Sequence, residues 1–312
     1  MAEPVALLAL AADAVIGWPE PLCRRIGHPV GLFARLISMC ERHWNCPRQS
    51  EARRRLAGIA TLALLLALTI GSGLLLTALA RSLLGRWAWV AIGLLAAPGL
   101  AQRSLDAHVR PVASALHSGD LFAARHAVSL IVGRDTGRLD IAGASRAAIE
   151  SLAESFCDGV VAPLFWLLAA GLPGIWAYKA INTADSLIGH REERWRAFGW
   201  AAARTDDLAN LIPARLAGAF LCLAGFGGWR IMWRDAHRHA SPNAGWPEAA
   251  MAGALDVRLA GPVSYEGVTY AKPWIGDGRS RTDAADVDRA LAVYRRACLC
   301  LWLIAGGVAW AL

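Results

Sequence analysis

Three carboxylates, Glu150, Glu154 and Asp158, recur at i, i+4 and i+8, a spacing that fans them across about 80° of one helix face. Acids placed so close repel unless a cation answers, and Arg146, one turn before Glu150, answers part of that charge. A solvated helix face is the plain alternative. Position favours a metal or ligand role: Asp158 stands directly before the apolar block Val160 to Tyr178, where charge is costly and usually functional.

The pattern repeats. Lys179, Asn182 and Asp185 follow that apolar block on successive helical turns, and Asp206, Asp207 and Asn210 precede Pro213 and a further apolar block beginning at Leu216. Three segments thus offer oxygen ligands beside apolar runs. A set of carboxylates and amides with no Cys and almost no His suits Mg²⁺, which is normally shared between one or two carboxylates and substrate phosphates. Glu150, Glu154, Asp158, Asp185, Asp206 and Asp207 are the candidate metal ligands. Phosphate also needs cations or free amides. The run Gly133-Arg134-Asp135-Thr136-Gly137 offers a Gly-flanked Arg, and Asp135 or Thr136 is placed to cap a following helix whose amides face an anion. A simple turn between helices is the equal alternative there. No G-x-x-x-x-G-K-[ST] loop occurs in the chain, so a Walker-type phosphate cradle is excluded. His237 and His239 sit two residues apart and would diverge on a helix, and His28, alone in a basic loop, is more often structural than catalytic.

The elements that carry these groups are set by composition. Of 312 residues, 56% are apolar and only 18% charged, against about 25% charged in an ordinary soluble domain. Leu56 to Ala80 is 25 consecutive residues without a charge, a helix of about 37 Å, and that segment spans a bilayer. Shorter apolar blocks lie at Val5 to Trp18, Trp87 to Ala101, Val160 to Tyr178, Leu216 to Trp229 and Ala297 to Leu312. Each reads as a tilted span, a broken helix or a helix buried among neighbours. Pro163, Gly171, Pro173 and Gly174 interrupt the Val160 block, as in a broken or re-entrant helix lining a cavity.

The fold class expected is therefore all-α: a polytopic integral membrane protein with four to six membrane helices, some broken or re-entrant, around a polar cavity. Residues 1–312 read as a single membrane-embedded domain, with 1–101 as N-terminal anchor and membrane helices, 102–296 as the motif-bearing region and 297–312 as a final membrane helix. Residues 120–158 and 179–215 read as Ala-rich helices, and 240–282, dense in Gly and Pro, as an ordered loop region without strands. Basic residues crowd the segment from Arg24 to Arg55, which assigns it to the cytoplasm. The net charge of +7 accompanies no basic stripe interleaved with aromatics, so nucleic acid is not an expected partner. The seven Cys show no C-x-x-C pair and read as reduced and structural.

Read together, the motifs resemble one family, the CobD/CbiB adenosylcobinamide-phosphate synthases of cobalamin biosynthesis. The resemblance rests on Val132-Gly-Arg-Asp-Thr136, Glu150-Ser-Leu-Ala-Glu154 with Asp158-Gly-Val-Val-Ala-Pro163, and Tyr178-Lys-Ala-Ile-Asn-Thr183 with Asp185. Ala203-Arg-Thr-Asp-Asp-Leu-Ala-Asn210, Ile212-Pro-Ala-Arg215 and Ser241-Pro-Asn-Ala-Gly245 continue it in order. Two positions depart from the family: Gly17-Trp18-Pro19 stands where Gly-Asp-Pro is usual, and Ser155 where Asn is usual. No role is carried onto Trp18.

The resemblance implies a ligase that joins the free carboxylate of adenosylcobyric acid to the amine of aminopropanol phosphate, with ATP and Mg²⁺ as cofactors. It implies catalytic roles for Glu150, Glu154, Asp158, Lys179, Asp206 and Asp207. Substrate contacts would come from Arg134, Asp135, Thr136, Asn182, Asp185, Arg204, Asn210, Arg215, Ser241 and Asn243, and His190 is a candidate base for the amine. The implied setting is the bacterial inner membrane, multi-pass and surrounded by lipid, with the active site facing the cytoplasm. A homo-oligomer or an association with other enzymes of the pathway is compatible with it. The rival functions are a membrane transferase acting on Mg-diphosphates and a non-catalytic sensor or transporter. Asp158→Ala and Asp207→Ala are each expected to abolish turnover while leaving the protein folded and inserted. Full activity in both variants would assign these acids to a structural network.

Overall fold

A computed structural model describes residues 4–311 apart from 20–22, 26, 134, 266–267 and 271–272. In chain order the helices are α1 (Val5–Val15), α2 (Pro29–Trp44), α3 (Glu51–Leu84), α4 (Ala88–Ala96), α5 (Gln102–His117), α6 (Leu121–Ser129) and α7 (Ile141–Phe156). A π-helical turn, Cys157–Val161, leads into α8 (Ala162–Ile188), α9 (Glu193–Arg196), α10 (Trp200–Ala209), α11 (Leu211–Ala224), α12 (Trp229–Asp235), α13 (Gly245–Leu255) and α14 (Ala284–Ala311). Four short strands, β1 (Leu259–Ala260), β2 (Val263–Tyr265), β3 (Val268–Tyr270) and β4 (Trp274–Ile275), pair antiparallel as β1–β4 and β2–β3. The all-α class holds: most of the described residues are helical. Residues 240–282, expected as loop, contain α13 and these strands; runs of two or three residues are too short to show an alternating pattern.

Among the described residues three runs, Glu51–His117, Ile141–Ile188 and Ala284–Ala311, contain stretches long and apolar enough to cross a membrane, or up to four if the pair α10 and α11, bent by 48°, is one span. Contacts divide the chain into two compact units, one formed by Met1–Ala101, Ala162–Asn210 and Ala305–Leu312, the other by Gln102–Val161 and Leu211–Ile304.

In the first unit the long helix is α3. Ser50 caps it by accepting from the Arg53 amide at 3.4 Å. Along its apolar length Thr61, Thr69, Ser72 and Thr77 turn their hydroxyls back onto the carbonyls four residues earlier at 2.6–2.9 Å, so no hydroxyl is left unbonded in an apolar setting. Two glycines let other backbone come close. A methyl on Gly58 would lie 1.7 Å from the Phe198 carbonyl oxygen, and one on Gly73 would lie 2.8 Å from Pro173 Cα. Ile37, Leu65, Ala180, Ala184, Ile188, Phe198 and Ala202 form the core joining α2, α3, α8 and α10. The break expected in the Val160 block is at Gly171, whose φ of 64° and ψ of −153° interrupt α8 two residues before Pro173.

In the second unit Asp140, rather than Asp135 or Thr136, caps α7: its Oδ1 accepts from the Gly143 amide at 2.7 Å. Asp135 instead closes a local turn onto the Gly137 amide at 2.9 Å, because the helix begins four residues beyond Gly137 and out of its reach. Tyr294 on α14 donates to the Gln102 carbonyl at 2.8 Å and packs edge-on against Phe156. Asp235, fully buried, is held by Arg234 Nε and Nη2 at 2.7 and 2.6 Å and by the Gly276 amide at 2.8 Å.

A charged knot ties the start of α3 to α2 and α9. Arg194 grips both oxygens of Glu41 at 2.9 and 3.1 Å, buried Arg54 donates to Asn45 at 2.8 Å and to the carbonyls of Glu193 and Arg194, and Asn45 donates to the Arg194 carbonyl at 2.9 Å. Burial pushes the Glu41 carboxyl up, but the hydrogen bonds from Arg194 and Asn45 and the Arg194 charge outweigh it and hold the group below its ordinary range. A depressed carboxyl contributes stability above its unfolded value of about 4.3, and that contribution is lost as pH falls through the lower folded value. In detergent, wild type should therefore melt above Glu41→Gln at pH 6, and the gap should close on acidification below about pH 4; a gap independent of pH would remove the carboxylate from the knot's stability.

Candidate active site

The Tyr178–Asp185 stretch of α8 and the Arg204–Asn210 stretch of α10 face one another in the first unit. Tyr178 is buried and donates its hydroxyl to Asn210 Oδ1 at 3.0 Å; Asn210, also buried, donates Nδ2 to Asp206 Oδ2 at 3.0 Å. Asn182 hydrogen-bonds the same carboxylate, and the charge of Asp185 bears on it. Trp166 holds the end of α10 by donating to the Ala209 carbonyl at 3.2 Å. The result is a carboxylate clamped by two amides beside a second carboxylate. Its other oxygen, Asp206 Oδ1, is buried and accepts no hydrogen bond among the described residues, an arrangement that costs free energy unless a cation or donor completes it. One turn along, Arg204 reaches Asp207 at 3.1 Å.

Lys179 lies half-buried on the same stretch, where Gly99 leaves room for Ile175 and for the Lys179 stem, whose Cγ is 3.6 Å from where a methyl would sit. Burial, then the Lys179 charge, holds the His28 imidazole below its ordinary range. Neutral at pH 7, its Nδ1 accepts from the Val30 amide at 3.2 Å and caps α2, the structural role expected for a lone His.

The other predicted residues lie in the second unit. Glu150 Oε1 accepts from the Ala260 amide at 2.7 Å and stands 3.8 Å from Arg146 Nε. The Arg146 guanidinium in turn lies 5.0 Å from the centre of the Trp274 ring. Ala260 has φ of 57°, a conformation that a non-glycine residue keeps only when its surroundings hold it. Glu154 is exposed on α7, and Asp158 is half-buried in the π-helical turn, an irregularity frequent at functional sites. Arg215 donates to Asn243 Oδ1 at 2.7 Å and lies 4.7 Å from the Trp246 ring centre. Ser241 Oγ accepts from the amides of Asn243 and Ala244 at 3.2 Å each, and His239 Nδ1 accepts from the Ser241 amide at 3.0 Å. Asp135 is exposed and Thr136 buried beside it, while Arg134 lies outside the described residues.

The structure thus brings Asn182, Asp185, Asp206 and Asn210 together, pairs Arg204 with Asp207, and groups Arg215, Ser241 and Asn243; Glu150 joins Arg146. The orienting role of Tyr178 was not legible as a site residue in the sequence, although it lies one turn before Asn182 on the same face. The stacking partners Trp246 and Trp274 carried no signal at all, being distant in sequence from the arginines they cover. Among the described residues no three His, Cys, Asp or Glu side chains close a metal cage. The donors around Asp206 are all oxygens and amides and one oxygen is orphaned, so a hard cation such as Mg²⁺ fits here with two protein carboxylates and the rest of its shell from phosphate and water.

The family described as CobD/Cbib protein matches residues 6–294. A curated relative called cobalamin biosynthesis protein CobD, from Rhodobacter capsulatus, is 50% identical over 97% of this chain and 96% of its own. Relatives of the same name from Sinorhizobium fredii and Brucella suis biovar 1 are 48% and 46% identical, covering 95% and 92% of this chain and 94% and 90% of theirs. No solved structure matches.

Replacing Asp206 by Asn removes a negative charge beside Asp185 while keeping the shape of the group. The variant should melt at a higher temperature than wild type and lose turnover by about 100-fold or more. An Asp206→Asn protein that melts lower and still turns over would make the pair structural.

Proposed function

The chain belongs to the CobD/CbiB family, and on that premise we propose that it is the acid–amine ligase of cobalamin biosynthesis that joins aminopropanol phosphate to the free carboxylate of adenosylcobyric acid. The observation that carries the reading is the clamped, half-satisfied Asp206 carboxylate beside Asp185 on the two family motifs that face each other. A stability-driven core would not retain two adjacent acids with one oxygen unbonded; a site built to receive cationic and phosphoryl charge would.

A carboxylate is a poor acyl donor, so the reaction proposed runs in two steps. The substrate carboxylate attacks the γ-phosphorus of ATP, the bond to the bridging oxygen breaks and ADP leaves. The amine of aminopropanol phosphate then attacks the acyl carbon, the C–N bond forms, inorganic phosphate departs, and a base takes the proton from nitrogen; His190, exposed at the end of α8 beside Trp195, is the candidate. Bound Mg²⁺ would neutralise charge on the transferred phosphoryl group. Asp185 and Asp206 would hold it, with Asp207 a further candidate ligand in the same unit; Glu150, Glu154 and Asp158 are candidates of the second unit. Lys179 and Arg204 supply positive charge for phosphate oxygens, and Arg134 remains a candidate that lies outside the described residues. Tyr178, through Asn210, orients Asp206 and is a positioning residue.

The basic loop preceding α3 and the motifs near the ends of α8 and α10 support an inner-membrane protein with this site open to the cytoplasm. Purified protein in detergent, given adenosylcobyric acid, aminopropanol phosphate and MgATP, should form the amide and one ADP per product. Release of pyrophosphate would favour the diphosphate transferase, and neither product nor nucleotide turnover would favour the sensor or transporter; either outcome defeats the ligase.

A further inference from the structure

At the end of α3 away from the charged knot, the first unit contains a cavity of about 440 Å³ around the α8 break, within the size range of small-molecule sites. Its walls are apolar, with Leu74, Ile92, Leu168 and Ala309 among them. A second apolar cavity of about 240 Å³, lined by Ile70 and Trp166, shares Ala170 and Pro173 with it, so apolar space lies on both sides of the interruption at Gly171. Two polar side chains line the larger cavity. Thr77 already gives its hydroxyl proton to the Gly73 carbonyl at 2.7 Å. Arg81 is exposed, and among the described residues its guanidinium makes no hydrogen bond or ion pair and no acid lines the cavity.

Arg81 is also the first charge after the 25-residue run from Leu56 to Ala80, which at 1.5 Å per residue brings it to the level of the lipid headgroups on that side. Arg86 and the exposed Trp87, 5.4 Å apart as a cation–ring pair, mark the same level. In the orientation proposed above this end faces away from the cytoplasm, where basic residues are disfavoured, and an anion on Arg81 offsets that disadvantage.

We propose that this cavity holds an acyl chain of an anionic phospholipid whose phosphate pairs with Arg81. The charge on the mouth selects an anion, the lining selects hydrocarbon, and the chain occupies the space that α1, α3, α4, α14 and the broken α8 leave between them.

The test is the melting temperature of the purified full chain in mixed micelles containing phosphatidylglycerol or phosphatidylcholine. Phosphatidylglycerol should raise the melting temperature of wild type saturably by about 5 °C, phosphatidylcholine by clearly less. Arg81→Gln should abolish the difference between the two lipids, and Ala170→Leu, which fills the cavity, should abolish the response to both; Ala309→Leu, on another wall, serves if Ala170→Leu does not fold. Equal stabilisation of wild type by the two lipids, or a preference for phosphatidylglycerol that survives in Arg81→Gln, overturns the proposal.

Discussion

Helix α8 cannot complete its own hydrogen-bond ladder, and the first unit is arranged around that fact. Gly171 leaves helical geometry and Pro173 has no amide to return, so the backbone at this depth survives only where protein or a cavity meets it. Gly73 of α3 comes against Pro173, and Gly58 against Phe198. The first contact seats the start of the second half of α8 against α3, and the second, 15 residues or about 22 Å further along α3, seats the chain that leads into α10. Tyr178, Asn182 and Asp185 project from that half, so the acid cluster inherits its position from the break above it.

Charge scarcity gives the cluster its chemical meaning. In a chain with 18% charged residues, most buried charges are bonded into closed knots: Glu41 with Arg194, Asp235 with Arg234 and Gly276, Asp286 with Arg279 and Arg289. Asp206 differs, bonded by the Asn210 and Asn182 amides, with no hydrogen bond to Oδ1 among the described residues and a second acid alongside. A site that leaves a buried oxygen of Asp206 without a donor among the described residues is poised to gain from a ligand that brings positive charge.

Much of this was legible in residue order. The interruption of the Val160 block was visible in Gly171 and Pro173, since no other residues break a helix so reliably, and the recurrence of acids and amides beside apolar runs marked Asn182, Asp185, Asp206 and Asn210 as candidates along with Glu150, Glu154, Asp158 and Asp207, without saying which of them meet. The α7 cap was misplaced onto Asp135 or Thr136 because capping depends on where the first helical residue falls, and Asp140 stands one residue before it. The strands of residues 259–275 were hidden by their brevity.

By itself the sequence determined the class, the membrane setting and the family, because long charge-free runs and ordered motifs are local properties that no packing can reverse. Which acids meet was decided by tertiary structure alone. Position beside apolar runs made Glu150 and Asp206 alike candidate ligands, yet Glu150 is drawn to the Ala260 amide and the Arg146 side chain, whereas Asp206 is set beside Asp185 with Oδ1 unbonded among the described residues. A carboxylate's chemistry depends on which donors and charges lie within a few ångströms of it, and residues more than a hundred positions apart in the chain, such as Glu150 and Ala260, become neighbours only when the helices pack.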